Sequence, residues 1–254
     1  MILNKIYFSP TGGTKKVTDI LADEWNCQKT EIDLTVPDTK YEEIIFTEDD
    51  VCMIAIPVFE GRVPKTAVTR LKKMKGNRST AIMVAVYGAR AVDDAMIELK
   101  DILEEQGFCC RAGIFAIAEH SILHIYGQGR PDDNDRAKLK EFSKEIKEKY
   151  LSGSLSDSVC VPGNRPYTEM GGMPYTPTAN ESCILCGKCA ADCPAEAIPK
   201  DNPRATDPEK CIFCMRCVVK CPTHARDFDP NLIRSFQEKM APVFAGERHN
   251  ELFL

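Results

Sequence analysis

The chain has 254 residues, of which 43% are hydrophobic and 28% charged, with a formal net charge of −5. These are the proportions of a soluble globular protein with one large domain or two smaller ones. No basic run or basic–aromatic interleaving suggests a nucleic-acid partner, and no apolar run approaches the length of a membrane span.

The N-terminus, Met1-Ile2-Leu3-Asn4-Lys5-Ile6-Tyr7-Phe8, enters a strand pattern at once and shows no secretory leader. Together with thiols taken as reduced, this predicts a cytoplasmic protein. Strand patterns fall at 2–8, 29–34, 51–56, 80–87 and 112–118, and helical patterns at 14–25, 64–74, 91–106 and 131–151. In the helix over 91–106, Ala95, Ile97, Leu99, Ile102 and Leu103 recur at helical spacing among charged residues. The segment Thr80–Tyr87 is apolar nearly throughout, as a strand covered on both faces should be. Strand–helix alternation of this kind predicts an α/β domain over 1–151, a doubly wound five-stranded parallel sheet of order 2-1-3-4-5.

Directly after the first strand stands Ser9-Pro10-Thr11-Gly12-Gly13-Thr14. Glycines at a strand-to-helix turn let backbone N–H groups point inward, and the new helix presents its positive end to the same place. Hydroxyls of Ser9, Thr11 and Thr14 add donors, so the loop can form a phosphate cup; the plainer reading is a helix cap at Thr11 or Thr14. There is no Gly-Lys-Ser/Thr pair and no Gly-x-Gly-x-x-Gly, which excludes an NTPase loop and the dinucleotide fingerprint; no NAD(P) site is recognised.

Residues 152–179 are rich in Gly, Pro, Ser and Thr, with Pro162-Gly163, Pro166, Gly171-Gly172, Pro174 and Pro177. Those breakers mark a linker. Tyr167, Met170, Met173 and Tyr175 give it apolar anchors, so it is expected to lie along the first domain. A small α+β cysteine module follows over 180–228, then a C-terminal helix and tail over 229–254. In that tail Leu232, Ile233, Phe236 and Met240 share one helix face and are expected to pack it onto the protein.

Eight of the thirteen cysteines form two copies of one run: Cys183, Cys186, Cys189 and Cys193 before Pro194, then Cys211, Cys214, Cys217 and Cys221 before Pro222. Zinc knuckles need neither the third cysteine nor the Cys-Pro. The run resembles the ligand pattern of bacterial ferredoxins with two [4Fe-4S] clusters, in which the fourth cysteine serves the other cluster. The resemblance implies one cluster on Cys183, Cys186, Cys189 and Cys221, and a second on Cys211, Cys214, Cys217 and Cys193. Unlike most free ferredoxins of this type, residues 183–228 are not acidic, with seven Lys/Arg against six Asp/Glu. Cys27, Cys52, Cys109, Cys110 and Cys160 are expected to be ordinary thiols.

Ser-x-Thr-Gly-x-Thr after strand one is similar to the phosphate loop of flavodoxins. Pro57-Val58-Phe59-Glu60-Gly61-Arg62-Val63-Pro64 and Tyr87-Gly88-Ala89-Arg90 stand where flavodoxins place their two ring-binding loops. The resemblance implies a non-covalent FMN, with Phe59 and Tyr87 as stacking candidates and Arg62 and Arg90 as charges near the ring. Val92 stands where related sequences often carry an aromatic, which implies a ring left open on its outer face. His120 falls at the same end of the sheet and is read as structural.

The whole arrangement resembles the flavodoxin–ferredoxin fusion proteins, the iron-sulfur flavoproteins of anaerobes. It implies electron transfer between one-electron and two-electron carriers, with protein donors or acceptors of ferredoxin, flavoprotein or hydrogenase type. The alternative is a flavin-dependent reductase of a small molecule, which lacks an obvious acid–base group unless His120, Tyr126 or Arg90 serves. A redox sensor ranks last, since no readout segment is seen.

Overall fold

The computed structural model describes residues 1–37, 39–173 and 175–254; Pro174 of the linker lies outside the described residues. The strands and helices of the first domain run β1 (Ile2–Tyr7), α1 (Gly13–Ala22), β2 (Gln28–Asp33), β3 (Val51–Pro57), α2 (Lys65–Leu71), β4 (Thr80–Tyr87), α3 (Ala95–Glu105), β5 (Cys109–Ile117) and α4 (Asp133–Leu151). After the linker come β6 (Thr178–Ala179), α5 (Lys188–Ala191), α6 (Arg216–Val219), β7 (Arg226–Asp227), α7 (Pro230–Met240) and β8 (Glu251–Phe253).

The parallel strands stand in the order β2-β1-β3-β4-β5, which is the flavodoxin-like order expected. Successive side chains of a strand point to opposite faces, and the core divides accordingly. From β4, Ala81, Met83, Ala85 and Tyr87 join the layer under α2 and α3. Ile82, Val84 and Val86 join the layer under α1 and α4. Trp25, with no exposed surface, donates its indole N–H to Ser143 Oγ at 3.0 Å, and Ser143 donates to Leu21 O at 2.6 Å, locking α4 to the end of α1. A capping box between Asp132 and Asp135 starts α4.

Three departures from the sequence reading have physical causes. Helix α3 begins at Ala95 rather than 91, because Asp93 has a left-handed backbone (φ 47°) that a helix cannot include. Strand β5 begins at Cys109 rather than 112, through a register irregularity opposite Ala81 and Ile82. The sheet has six strands instead of five: β8 pairs antiparallel with β5, Gly113 opposite Phe253 and Phe115 opposite Glu251. A three-residue strand gives no periodicity to read. Its place is set by the otherwise unpaired edge of β5, and by Phe253 meeting Phe115 at 4.8 Å between ring centroids.

The linker is strapped onto the first domain, as its anchors suggested. Val159 N–H donates to Cys110 O at 2.9 Å. Buried Asp94 accepts from the backbone N–H groups of Asn164 and Thr168, each at 2.7 Å, and from the Thr168 hydroxyl at 2.7 Å. Those bonds hold the Asp94 carboxyl down to about 2. Asp101 binds Arg165 and the Tyr167 hydroxyl. Among the described residues, no helix is long and apolar enough to cross a membrane.

Candidate functional site

The C-terminal ends of β1, β3, β4 and β5 border one pocket. This is where ligands bind in doubly wound sheets. The loop after β1 supplies Pro10, Thr11, Gly13 and Thr14. Gly12 caps α1 with a left-handed backbone (φ 99°) and has open space where a Cβ would stand. The first N–H groups of a helix lack intrahelical acceptors. Ser9 Oγ takes that of Lys15 at 2.9 Å, which leaves those of Gly13 and Thr14 at the pocket wall. Ser9 itself is buried and braces the loop without lining the pocket.

The loop after β3 brings Pro57, Val58, Phe59 and Glu60 to the pocket, and the loop after β4 brings Tyr87, Gly88 and Arg90. Gly61 and Ala89 shape these turns with positive φ but do not line it. Gly61 is required by close approach as well, since a Cβ there would lie 2.4 Å from Asp93 Oδ2. Arg62 departs from the expected charge near a ring. Its Nε and Nη2 donate to the two Glu98 carboxylate oxygens at 2.7 Å, its Nη1 donates to Thr168 O at 2.7 Å, and it stacks 4.7 Å over the Tyr167 ring. A bidentate partner on α3 and the linker draws it away from the pocket. Arg90 does line the pocket, beside its partner Asp93. Tyr87 is only 5% exposed and its hydroxyl donates to His249 O at 2.8 Å, so its ring anchors the C-terminal tail. Phe59 remains as the partly buried aromatic among the two stacking candidates.

The open outer face inferred from Val92 is corrected. Val92 is buried in the core on the α3 side of the sheet. The pocket is instead covered from other elements: Phe236 and Met240 of α7, Phe244, Met173 of the linker, and Ile212 and Phe213 of the cysteine module. Phe244 stacks on Tyr126 at 3.8 Å and meets His120 edge-on at 5.4 Å. His120 lines the pocket, and burial pushes its imidazole down to about 4. Its Nδ1 accepts from Ile122 and Leu123 N–H at 3.1 and 3.0 Å, which puts the single proton on Nε2.

The cysteine module is built as two matching halves. Leu185 and Phe213, Gly187 and Met215, and Glu196 and His224 hold positive φ at equivalent places in the two runs. Ala197 N–H lies 3.3 Å from Cys193 Sγ, and Ala225 N–H 3.2 Å from Cys221 Sγ. Cys193, Cys211, Cys214 and Cys217 line one pocket, so the last cysteine of the first run faces the first three of the second. Burial raises the Cys214 thiol to about 12 and the Cys211 thiol to about 11. Thiolates in such a place need a cation to hold them. Among the described residues no three His, Cys, Asp or Glu side chains are close enough to hold a single metal ion. Cys183, Cys186 and Cys221 are more exposed, and only Cys189 of their set is buried.

The module docks through both halves of the site. Arg70 Nη2 of α2 donates to Pro194 O at 2.8 Å. Arg216 donates to Asp192 O at 3.0 Å and reaches Pro10 O of the β1 loop at 3.5 Å. Ile212, Phe213 and Cys214 line both the strand-end pocket and the cysteine cavity.

Residues 178–222 match the family described as 4Fe-4S dicluster domain. The chain joins a flavodoxin-like domain to a 4Fe-4S dicluster domain. Among solved structures, the flavodoxin of Streptococcus pneumonia TIGR4 is 13% identical, covering 59% of this chain and 99% of its own, with a TM-score of 0.41. Oxidised Flavodoxin 2 from Bacillus cereus is 14% identical over 59% of this chain and 99% of its own, with a TM-score of 0.43. Rubredoxin oxygen:oxidoreductase from Desulfovibrio gigas is 13% identical over 60% of this chain and 36% of its own, with a TM-score of 0.41. It is the strand order that assigns the flavodoxin-like fold here. Comparison with curated proteins gives no match.

Sequence reasoning did not find Met173, Ile212, Phe213, Phe236, Met240 and Phe244 as pocket residues. The apolar helix face at Phe236 and Met240 was the one readable signal; where that face docks is a tertiary fact.

Proposed function

We propose that this chain is an electron-transfer protein holding two [4Fe-4S] clusters and one non-covalent FMN, and that it couples one-electron to two-electron carriers. The observation that carries the reading is the shared wall: Ile212, Phe213 and Cys214 face the cysteine cavity on one side and the strand-end pocket on the other. When bound, the clusters supply single-electron exchange and FMN one- or two-electron exchange.

The chain's own part is placement. Cys211, Cys214, Cys217 and Cys193 hold the inner cluster, and Cys183, Cys186, Cys189 and Cys221 the outer one. Gly13 and Thr14 N–H groups, with the Thr11 and Thr14 hydroxyls, bind a monophosphate without a lysine. The backbones of 57–60 and 87–90, with the Phe59 side chain, would hold the ring. His120 offers an Nε2–H donor and stays neutral at pH 7. The outer half presents Ile184, Leu185 and Cys186 at the surface, which suits a one-electron protein partner meeting that end. Phe236, Met240 and Phe244 of the tail line the two-electron end, which favours the carrier reading over a small-molecule reductase. A ferredoxin, flavoprotein or hydrogenase type of partner and a cytoplasmic setting belong to this reading.

Anaerobic purification with metal, sulfide and flavin counts tests it: about eight iron and one FMN per chain are expected. Zinc in place of iron, or a chain without flavin, sinks the reading. Stopped-flow mixing with reduced ferredoxin should then bleach the cluster absorbance and the flavin absorbance in turn; a flavin that stays oxidised beside reduced clusters rules out the relay.

A further inference from the structure

The two halves of the dicluster domain agree in backbone but differ at one buried position. After Ala197 and Ala225, which sit equivalently beside Cys193 and Cys221, the next residue is Ile198 in the first half and Arg226 in the second. Ile198 is 4% exposed and Arg226 only 1%. An apolar place in one half is thus cationic in the other.

The oxygens that hold Arg226 are neutral, and the Cys217 side chain of the inner set is also within its hydrogen-bonding reach. Its Nη1 donates to Pro203 O at 2.6 Å, and its Nη2 to Pro177 O at 2.9 Å and to the Thr206 hydroxyl. Its Nε is buried with no acceptor among the described residues. No carboxylate is among its hydrogen-bond partners. A buried guanidinium with no counter-charge is costly, so a fold keeps one only where an anion is expected.

The anions that suit it are on both sides. Pro203 O, which receives Nη1, also lies 3.6 Å from Cys189 Sγ of the outer set. Pro177 and Thr206, which receive Nη2, line the cavity of the inner set. The guanidinium therefore stands between the two cysteine sites.

We propose that Arg226 is the built-in counter-ion of the dicluster domain, a fixed positive charge between the two clusters that raises both their midpoint potentials. The proposal rests on the two-cluster reading above. Its physics is Coulombic: a cation in a low-dielectric interior favours the more negative state of any redox group beside it. It acts through charge, and touches no substrate.

The test uses the full chain, purified anaerobically, as wild type and as Arg226→Gln, Arg226→Met and Arg226→Lys. Iron is counted, and midpoint potentials are read by EPR-monitored titration for the clusters and by absorbance for the flavin. Neutral variants that keep their iron should show both cluster potentials shifted downward, and the more distant flavin shifted less. Arg226→Lys should stay near wild type. Iron-loaded neutral variants with unmoved cluster potentials overturn the proposal. If both neutral variants lose iron while Arg226→Lys keeps it, the charge is needed even for assembly, which upholds the proposal. Loss of iron from Arg226→Lys as well would mean that the forked hydrogen bonds matter and the charge does not, which overturns it. A wild-type chain without iron is a separate failure, that of the two-cluster reading itself.

Discussion

In the flavodoxin-like domain, each face of the sheet carries a continuous apolar layer, and Leu3, Trp25, Ile54, Leu71 and Met83 are all without exposed surface. In the dicluster domain, the packed cluster is Cys189, Ala190, Cys193, Ala197 and Ile198, with Cys214, Met215, Ala225 and Phe228 also buried. The first has enough buried surface to fold by the hydrophobic effect alone. The second is too small to do so, and on the two-cluster reading it relies on metal–ligand bonds. The same chain therefore contains a domain whose sequence pattern is distributed over many replaceable residues and a domain concentrated in eight.

That contrast predicts opposite responses to single substitutions. Cys193→Ala removes one ligand from the inner set and should produce the largest effect: iron falls from about eight to about four or fewer per chain, and residues 180–228 become protease-sensitive while 1–151 stays folded. Leu71→Ala should lower stability of the first domain by about 2–5 kcal/mol and leave the iron count unchanged. A Cys193→Ala protein with full iron would remove the crossed assignment, and with it the metal-dependent half of the comparison.

The linker lies between these extremes, and Asp94 tests it. Its carboxyl is held at about 2 in the folded protein against about 4 in an unfolded chain. A depressed pKa contributes stability that is full above pH 4 and disappears as pH falls from about 4 to about 2. For this group, near the surface though covered, the contribution is on the order of 1–2 kcal/mol. Asp94→Asn should cost about that much at pH 7 and progressively less toward pH 2, where the two proteins converge in thermal scans. Hydrogen exchange at Asn164 and Thr168 should rise in the variant at neutral pH. A gap of constant size across that window would show that shape, and not charge, holds the strap.

What could be read beforehand follows the same division. The β4 run from Thr80 to Tyr87 and the two cysteine runs announce their roles because each uses a local rule, two-sided burial in one and ligand spacing in the other. Arg62 was misplaced because its partner Glu98 is distant in sequence, and only folding shows that a bidentate bond outcompetes the pocket. Val92 misled for a related reason: coverage of the pocket comes from Phe236, Met240 and Phe244, far along the chain. Strand β8 was invisible because three residues carry no period, and their pairing depends on the edge they meet.

The tail offers the finest test, since it belongs to neither mode of folding. It is attached by the β8 ladder, by Asn250 Oδ1 accepting from Ile117 N–H at 2.9 Å, by Asn250 Nδ2 donating to Asp135, and by the Tyr87 hydroxyl donating to His249 O. Tyr87→Phe removes the last of these and nothing else. One neutral hydrogen bond contributes about 1 kcal/mol, so exchange protection at 249–253 should fall by roughly fivefold with little change in Tm. Because the tail covers the pocket, flavin affinity should weaken by no more than the same factor. A much larger loss of flavin would mean that the Tyr87 hydroxyl matters to the cofactor beyond its bond to His249 O. Unchanged protection would mean that the β8 ladder and the Asn250 and Arg248 bonds hold the cover in place without Tyr87.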